Sequence, residues 1–394
     1  MFFKIPLTSI EEVMQQMGVH VGGVEIMTQK SQLLPLKFLA VRTPAANIIK
    51  QEMLALGGDC ATPVGAINCA ADYVDILLLG NAKTYQLLLT KLEAMKDWFK
   101  LNQVISELQN FLTAIKPTTK LADGRVLSYD KVGVMGILNI TKDSFYSGSR
   151  VSSDKGLLEK AGQMLSAGAL MLDIGAESTR PGAEPVAEEE EIRRISEAVQ
   201  LLRKEYPKAL LSIDTYRSAT AKAALSLGAD IINDISAATA DDKMLEVVAE
   251  FKAPLILMHM RGTSATMQQQ TSYENVVEEV AGYLFTRAEV AQGAGLNKNQ
   301  LILDPGIGFA KNVEDNLKLM KNLEALTCHG YPLLLAASRK STIGAVLGNV
   351  PADERLEGTL ATTAKAFYAG ANLVRVHDVR EHVRFLTMLE AMEK

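Results

Sequence analysis

A closed (β/α)8 barrel preceded by a smaller α/β domain is the fold this sequence predicts, and three observations predict it. From about Lys131 onward, eight short β-rich apolar runs recur, with longer stretches of helical period between them. The runs are nearly unbroken hydrophobic segments, as strands are when helices cover both faces of a parallel sheet. Eight such units in about 260 residues match the size at which strand and helix repeats close into a TIM barrel. A doubly wound open sheet is the alternative, but no GxGxxG turn follows the first run.

The first domain, residues 1–120, reads as small and α/β. The runs PLKFLAVR, TPVGAIN and YVDILLLG alternate with helix-like segments from Ala45 to Leu56 and from Ala82 to Ile115. The segment KPTTKLADGRVLSYD, with Pro117 and the Asp123-Gly124 turn signal, predicts a junction followed by a short hairpin closing the barrel floor. The second domain, 121–394, is the barrel. Its strands are VGVMGIL before Asn139, ALML before Asp173, ALLSI before Asp214, DII before Asn233, PLILM before His259, LIL before Asp304, PLLLAA before Ser338 and NLVRV before His377. Helical stretches such as Asp154 to Ala167, Glu188 to Glu205, Glu274 to Gln292 and Leu356 to Ala369 separate them.

The 394 residues, 48% hydrophobic and 22% charged, carry a formal net charge of -5 and no long Lys/Arg run. Nothing there recommends nucleic acid or an anionic membrane as a partner, and a small soluble substrate is expected. Pro6, Glu11 and Glu12 interrupt the N-terminus too early for a secretory signal, and no apolar run reaches membrane-spanning length. Cys60, Cys69 and Cys328 form no CxxC pair and read as small thiols in a reducing cytoplasm.

Active groups of a parallel barrel gather at the C-terminal ends of its strands, here Asn, Asp, Asp, Asn, His, Asp, Ser and His. Polar strand ends also cap helices, which is the structural alternative at any single position. After the first strand, NITKDSFYSGSR places Asn139 where its neutral oxygen suits a hard cation or its amide a phosphate. The loop DIGAESTRPGAEPV offers the Thr179 hydroxyl and the Arg180 guanidinium beside a turn at Pro181 and Gly182, a set suited to pyrophosphate or carboxylate. Asp214, Asn233 and Asp304 would point toward one axis and match the donor and acceptor edge of an amino-pyrimidinone. Lys340 in SRKS either fixes that heterocycle or makes a buried ion pair with one of the aspartates. Arg375 and His377 share a strand face and, with Asn139 on the adjacent strand, form an anion site. His259 stands apart and reads as structural.

The stretches MGILNITKDSF, DIGAESTRPGA, SIDTYRS, GADIINDIS, LMHM, LDPGIGFAK, SRKSTIG, RLEGTLAT and VRVHDV closely resemble the dihydropteroate synthase family, in that family's order across the whole barrel. The resemblance implies condensation of 6-hydroxymethyl-7,8-dihydropterin pyrophosphate with para-aminobenzoate, releasing pyrophosphate, in folate synthesis. It implies pterin contacts from Asp214, Asn233, Met258, Asp304, Phe309 and Lys340, and pyrophosphate contacts from Asn139, Arg375 and His377. Asn139 would also hold Mg2+. It places para-aminobenzoate near Thr179, Arg180, Pro181, Phe309 and Ser338, gives catalytic roles to Asp143, Thr179, Arg180 and Lys340, and suggests a sulfonamide-sensitive homodimer.

The chain departs from the family pattern in the first loop, with Lys142 in place of the usual Pro and Ser147 where Asp is common. It also has Ala336 and Ala337 before the SRKS serine, where Gly is frequent. Two rival readings are a methyltetrahydrofolate-to-corrinoid methyltransferase, which lacks the STRPGA and SRKS stretches, and a non-catalytic pterin-binding protein. The first domain shows no chemical motif.

Overall fold

The computed structural model describes residues 5–113, 116–140, 150–176, 186–263 and 266–393, the side chains of 150–153 excepted. The chain forms two compact units, Met1–Ile115 and Lys116–Lys394.

The first unit holds three antiparallel strands, β1 (Leu34–Arg42), β2 (Asp59–Ala61) and β3 (Tyr73–Gly80), in the order β1-β3-β2. Helices Thr43–Ala55, Ala82–Phe99 and Asn102–Leu112 pack against them. Pro44 at the start of the first helix and the Asn81 side chain, which accepts the Thr84 N–H at 2.9 Å, fix where the helices begin. Ile49, Met53, Ile76, Leu78, Tyr85, Leu88 and Leu92 are buried together, so this unit has a core of its own.

Two sequence expectations for this unit are corrected. TPVGAIN is no strand: Pro63 leads into a single 3-10 turn, Val64–Ala66, and the third strand is the three-residue β2, too short to show a period. The helical segment from Ala82 to Ile115 breaks at Lys100, which adopts a left-handed conformation (φ 54°) so that Leu101 can turn into the core.

The second unit begins with the hairpin of β4 (Thr118–Lys120) and β5 (Val126–Ser128). The barrel strands follow as β6 (Gly133–Asn139), β7 (Met171–Gly175), β8 (Leu210–Asp214), β9 (Ile231–Asp234), β10 (Leu255–Met258), β11 (Leu301–Asp304), β12 (Leu334–Leu335) and β13 (Leu373–Val376). All eight pair in parallel, in the order β11-β10-β9-β8-β7-β6-β13-β12. A parallel bridge between Leu303 and Leu333, with the Leu303 N–H donating to the Pro332 carbonyl at 2.9 Å, closes the ring.

Alternation along each strand sorts side chains into two cores. Leu172, Ile174, Leu211, Ile213, Leu255, Leu257 and Val374 face outward and join the helices in the larger cluster. Met135, Met171, Leu210, Ile231, Ile256, Ile302, Leu334 and Leu373, one from each strand, face inward and fill the lower end of the barrel with Leu121, Leu127 and Tyr129 of the hairpin region. The hairpin is thus the floor. Asp230 pins it, accepting from Arg125 at 3.0 Å and from Arg203 at 2.8 Å. The filled floor leaves only the C-terminal end of the barrel for a ligand.

Candidate active site

Two residues above the apolar floor the inward positions turn polar. Met171 is followed by Asp173, Leu210 by Ser212 and Asp214, Ile231 by Asn233, Ile302 by Asp304 and Leu373 by Arg375. The strand period of two therefore carries these groups to one axis.

Arg375 joins them. Its Nε lies 2.5 Å from Asp173 Oδ2 and its Nη2 2.7 Å from Asp214 Oδ2. Asp173 is fully buried and also accepts from Ser212 Oγ at 2.6 Å and Asn233 Nδ2 at 3.1 Å. A carboxylate so far from water stays tolerable only because three donors surround it. Burial works against the Arg375 charge, but Asp173 and Asp214 more than offset it and hold the guanidinium above its ordinary range. Burial, with Asp173 as a like charge, pushes the Asp214 carboxyl upward against the pull of Arg375 and Lys340.

Asp304 stands across the barrel, 2% exposed, with Oδ1 accepting the Gly306 N–H at 2.7 Å. Burial lifts it to about 6, while that hydrogen bond, Lys340 and Arg375 pull it back. Lys340 Nζ sits 4.2 Å from the centroid of the Phe309 ring. Among the described residues it makes no ion pair within 4.0 Å, so the sequence alternative of a buried Lys340–Asp pair is not what the fold builds. Burial and Arg375 lower Lys340 to about 8, against the pull of Asp304 and Asp214. Met258, Phe309, Ile235, Met267 and Ala310 form a separate apolar cluster beside these polar groups.

Just beyond the adjacent strands β12 and β13, Ser338 Oγ lies 3.0 Å from His377 Nδ1 and accepts the His377 backbone N–H at 3.2 Å. Burial, together with Arg339 and Arg375, lowers His377 to about 4, so the ring is neutral at pH 7. Asn139 ends β6 opposite Gly175 in the ladder.

The loop after β11 is built for close approach. Gly306 has φ +66°, and a Cβ there would lie 2.1 Å from the His259 carbonyl oxygen. Gly306→Ala is expected to lose about 3 kcal/mol or more, combining backbone strain with overlap against a backbone atom. A thermal melt of the full chain would read this as a drop of several degrees, and an unchanged melting temperature would contradict it.

The family described as pterin binding enzyme matches residues 135–377. The dihydropteroate synthase of Bacillus subtilis is 45% identical over 268 residues, covering 68% of this chain and 90% of its own. That of Synechocystis sp. is 44% identical over 259 residues, covering 66% and 89%. The chain belongs to the dihydropteroate synthase family. Solved structures agree: Xanthomonas albilineans dihydropteroate synthase with 4-aminobenzoic acid has 37% identity and a TM-score of 0.66, covering 71% of this chain and 99% of that one. The Yersinia pestis dihydropteroate synthase with a sulfonamide drug has 38% identity and a TM-score of 0.65, covering 70% and 98%. As a dihydropteroate synthase the chain is a transferase of folate synthesis, joining 6-hydroxymethyl-7,8-dihydropterin pyrophosphate to para-aminobenzoate with release of pyrophosphate.

The dihydropteroate synthase barrel brings together Asp214, Asn233, Met258, Asp304, Phe309, Lys340 and Arg375 at its mouth, with Ser338 and His377 paired beside them. Asp143, Thr179, Arg180 and Pro181 lie outside the described residues, as do Lys142 and Ser147. Of the two alanines before Ser338, Ala337 joins the outer core, so its methyl does not narrow a pocket; Ala336, two residues beyond Leu334, takes the inward position. Sequence reasoning left out three polar partners. Asp173 is not the strand end that the run ALML suggests, since β7 runs on to Gly175, and its position two beyond Met171 marks it as inward. Ser212 follows the same rule. Lys311 ends the LDPGIGFAK stretch, but its role is hidden there because its contacts depend on how a loop closes.

Proposed function

We propose that Asp214, Asn233, Asp304 and Lys340 bind the pterin ring between the Met258 and Phe309 walls, with pyrophosphate on Asn139, Arg375 and His377 and para-aminobenzoate near Phe309 and Ser338. The carrying observation is the convergence of three inward carboxylates, Asp173, Asp214 and Asp304, with Arg375 and Lys340. Carboxylates accept from the amino and ring N–H groups of a pterin, and Lys340 donates to its carbonyl or ring nitrogen. When pyrophosphate leaves before the aniline attacks, the pterin methylene turns cationic, and the carboxylate-rich wall stabilises that charge. The described residues offer no activated nucleophile, and none is needed.

Arg375 Nη1 has no hydrogen-bond partner among the described residues, which leaves it for the leaving group while Nε and Nη2 stay on their aspartates. His377 contributes a neutral ring whose Nδ1 is engaged by the Ser338 hydroxyl, which leaves Nε2 to face the leaving group. Thr179 and Arg180, next to Pro181, are assigned to the aniline substrate, and Asp143 to charge stabilisation in the first loop.

Among the described residues no cluster of three His, Cys, Asp or Glu side chains could cage a metal. A single neutral oxygen from Asn139 instead fits Mg2+ that arrives on the pyrophosphate, keeping substrate oxygens and water as its other ligands. Bound there, Mg2+ would neutralise charge on the leaving group. The resemblance further leads to a homodimer. Three free thiols suit a cytoplasmic location, and no described helix is long and apolar enough to cross a membrane.

The test is pyrophosphate release from the pterin pyrophosphate with Mg2+, with and without para-aminobenzoate. Release that depends on the aniline and is competed by a sulfonamide is the expected result. Tight pterin binding without release would favour the non-catalytic reading, and methyl transfer from methyltetrahydrofolate the corrinoid one.

A further inference from the structure

We infer that Lys311 is a positioning residue for the pterin: from beneath the loop that follows β11, its ammonium holds Asp304 and Phe309 in place. The inference rests on the pterin reading given above. Lys311 is 3% exposed. Its Nζ lies 2.8 Å from His259 Nδ1, 2.9 Å from the Phe309 carbonyl oxygen, 3.0 Å from that of Gly306 and 3.4 Å from that of His259.

An ammonium has three N–H donors, and here three acceptors stand within 3.0 Å. They come from two segments, the end of β10 and the loop after β11. That loop starts at Asp304, carries Phe309 over its turn and ends at Lys311, so the chain folds back around its own cation. His259 is fitted to the acceptor role, since burial and then Lys311 and Arg261 lower it to about 2 and keep its ring neutral. With the ammonium removed, carbonyl dipoles and an imidazole lone pair would converge on an unfilled buried site. The loop would relieve this by opening, which moves Phe309 and loosens Asp304.

The other supports of the loop hold different atoms. Gly308 donates to Asn316 Oδ1 at 2.8 Å, and the Tyr273 hydroxyl donates to the Ala310 carbonyl at 2.9 Å. Neither touches the Phe309 backbone. Gln268 Nε2 donates to the Gly308 carbonyl at 3.2 Å and the His259 N–H to that of Asp304 at 3.0 Å, so among the described residues Lys311 is the side chain that bonds the Phe309 carbonyl and ties it to the His259 ring.

The experiment measures binding of 6-hydroxymethylpterin, and separately of inorganic pyrophosphate, to the full chain at pH 6, below the value of about 7 to which burial lowers Lys311, so that the ammonium is the form present. Lys311→Met keeps the aliphatic stem and isolates the ammonium; Lys311→Ala leaves space for an added amine. Pterin affinity is expected to fall about tenfold to a hundredfold in Lys311→Met, the range for a charged hydrogen-bond donor, with pyrophosphate affinity unchanged. In Lys311→Ala, methylammonium should restore pterin affinity and tetramethylammonium, which cannot donate, should not. Tyr273→Phe loosens the same loop elsewhere and should leave pterin affinity alone. If the wild type itself binds no pterin, the site reading fails. If the wild type binds and folded Lys311→Met binds equally well, this inference is overturned. Loss of the whole fold in Lys311→Met, with no rescue of Lys311→Ala by methylammonium, overturns it too, because the role would then not be confined to the pterin wall.

Discussion

Replacing Arg375 by Met is expected to cost about 3–5 kcal/mol of stability and to lower kcat/KM by about a hundredfold or more, because it leaves two buried carboxylates without their cation. Asp173 and Asp214 both bond the guanidinium, and Asp173 is fully buried. The sign of the pH effect follows from where the proton goes. Burial and the facing carboxylate raise Asp214 in the folded protein, so between the ordinary carboxylate range and that raised value the folded state binds more protons than the unfolded one. Stability contributed by this group therefore falls as pH rises through that window. Without Arg375 the Asp214 carboxyl moves up further, the window widens, and the variant should regain stability as pH is lowered. Thermal melts at a series of pH values measure this; a deficit that stays constant from acid to neutral pH would show that the loss came from packing alone. A double variant with Asp173→Asn should lose less than the two single losses combined, since each change removes the other's unpaired charge.

The sequence carried the barrel because both of its signals are local. Strand runs are short and apolar, and the polar group that ends each can be read without knowing its neighbours. The ring Asp214, Asn233, Asp304 and Arg375 was legible for the same reason: a period of two from Leu210, Ile231, Ile302 and Leu373 fixes which way each points. What these groups bond to was not legible. That Arg375 takes both Asp173 and Asp214, while Lys340 stands over Phe309 with no carboxylate partner among the described residues, depends on strand order and side-chain reach across the barrel. Lys311 shows the limit more sharply, since the LDPGIGFAK stretch that it ends does not say that the loop folds back to bury it on three carbonyl oxygens and an imidazole nitrogen. In the first unit, the left-handed Lys100 breaks a helical run with neither Gly nor Pro to announce it.

Lys340 gives the second large effect, and its pH dependence separates a ligand contact from a structural role. Lys340→Ala is expected to reduce kcat/KM for the pterin pyrophosphate by about a hundredfold to a thousandfold, with a smaller drop in melting temperature than Arg375→Met, because among the described residues the ammonium makes no ion pair within 4.0 Å and acts on Asp304 and Asp214 only at longer range. Burial and Arg375 bring the group down to about 8, so the charged form is present at neutral pH and is lost as pH rises through that value. A contact that needs the ammonium must weaken in the same interval, and kcat/KM should bend downward on the alkaline side. Lys311, lowered to about 7 chiefly by burial and also by Lys340, titrates higher once Lys340 is gone, so both profiles are recorded in a Lys311→Met background that removes this group. The difference between them isolates Lys340. Lys340→Arg retains the charge but not the shape and should keep part of the activity while losing the limb near 8, since guanidinium does not titrate there. Identical alkaline limbs with and without Lys340→Ala in that background would assign that titration elsewhere and would remove Lys340 from the pterin contact, leaving Asp304 and Asn233 to read the ring without a cation.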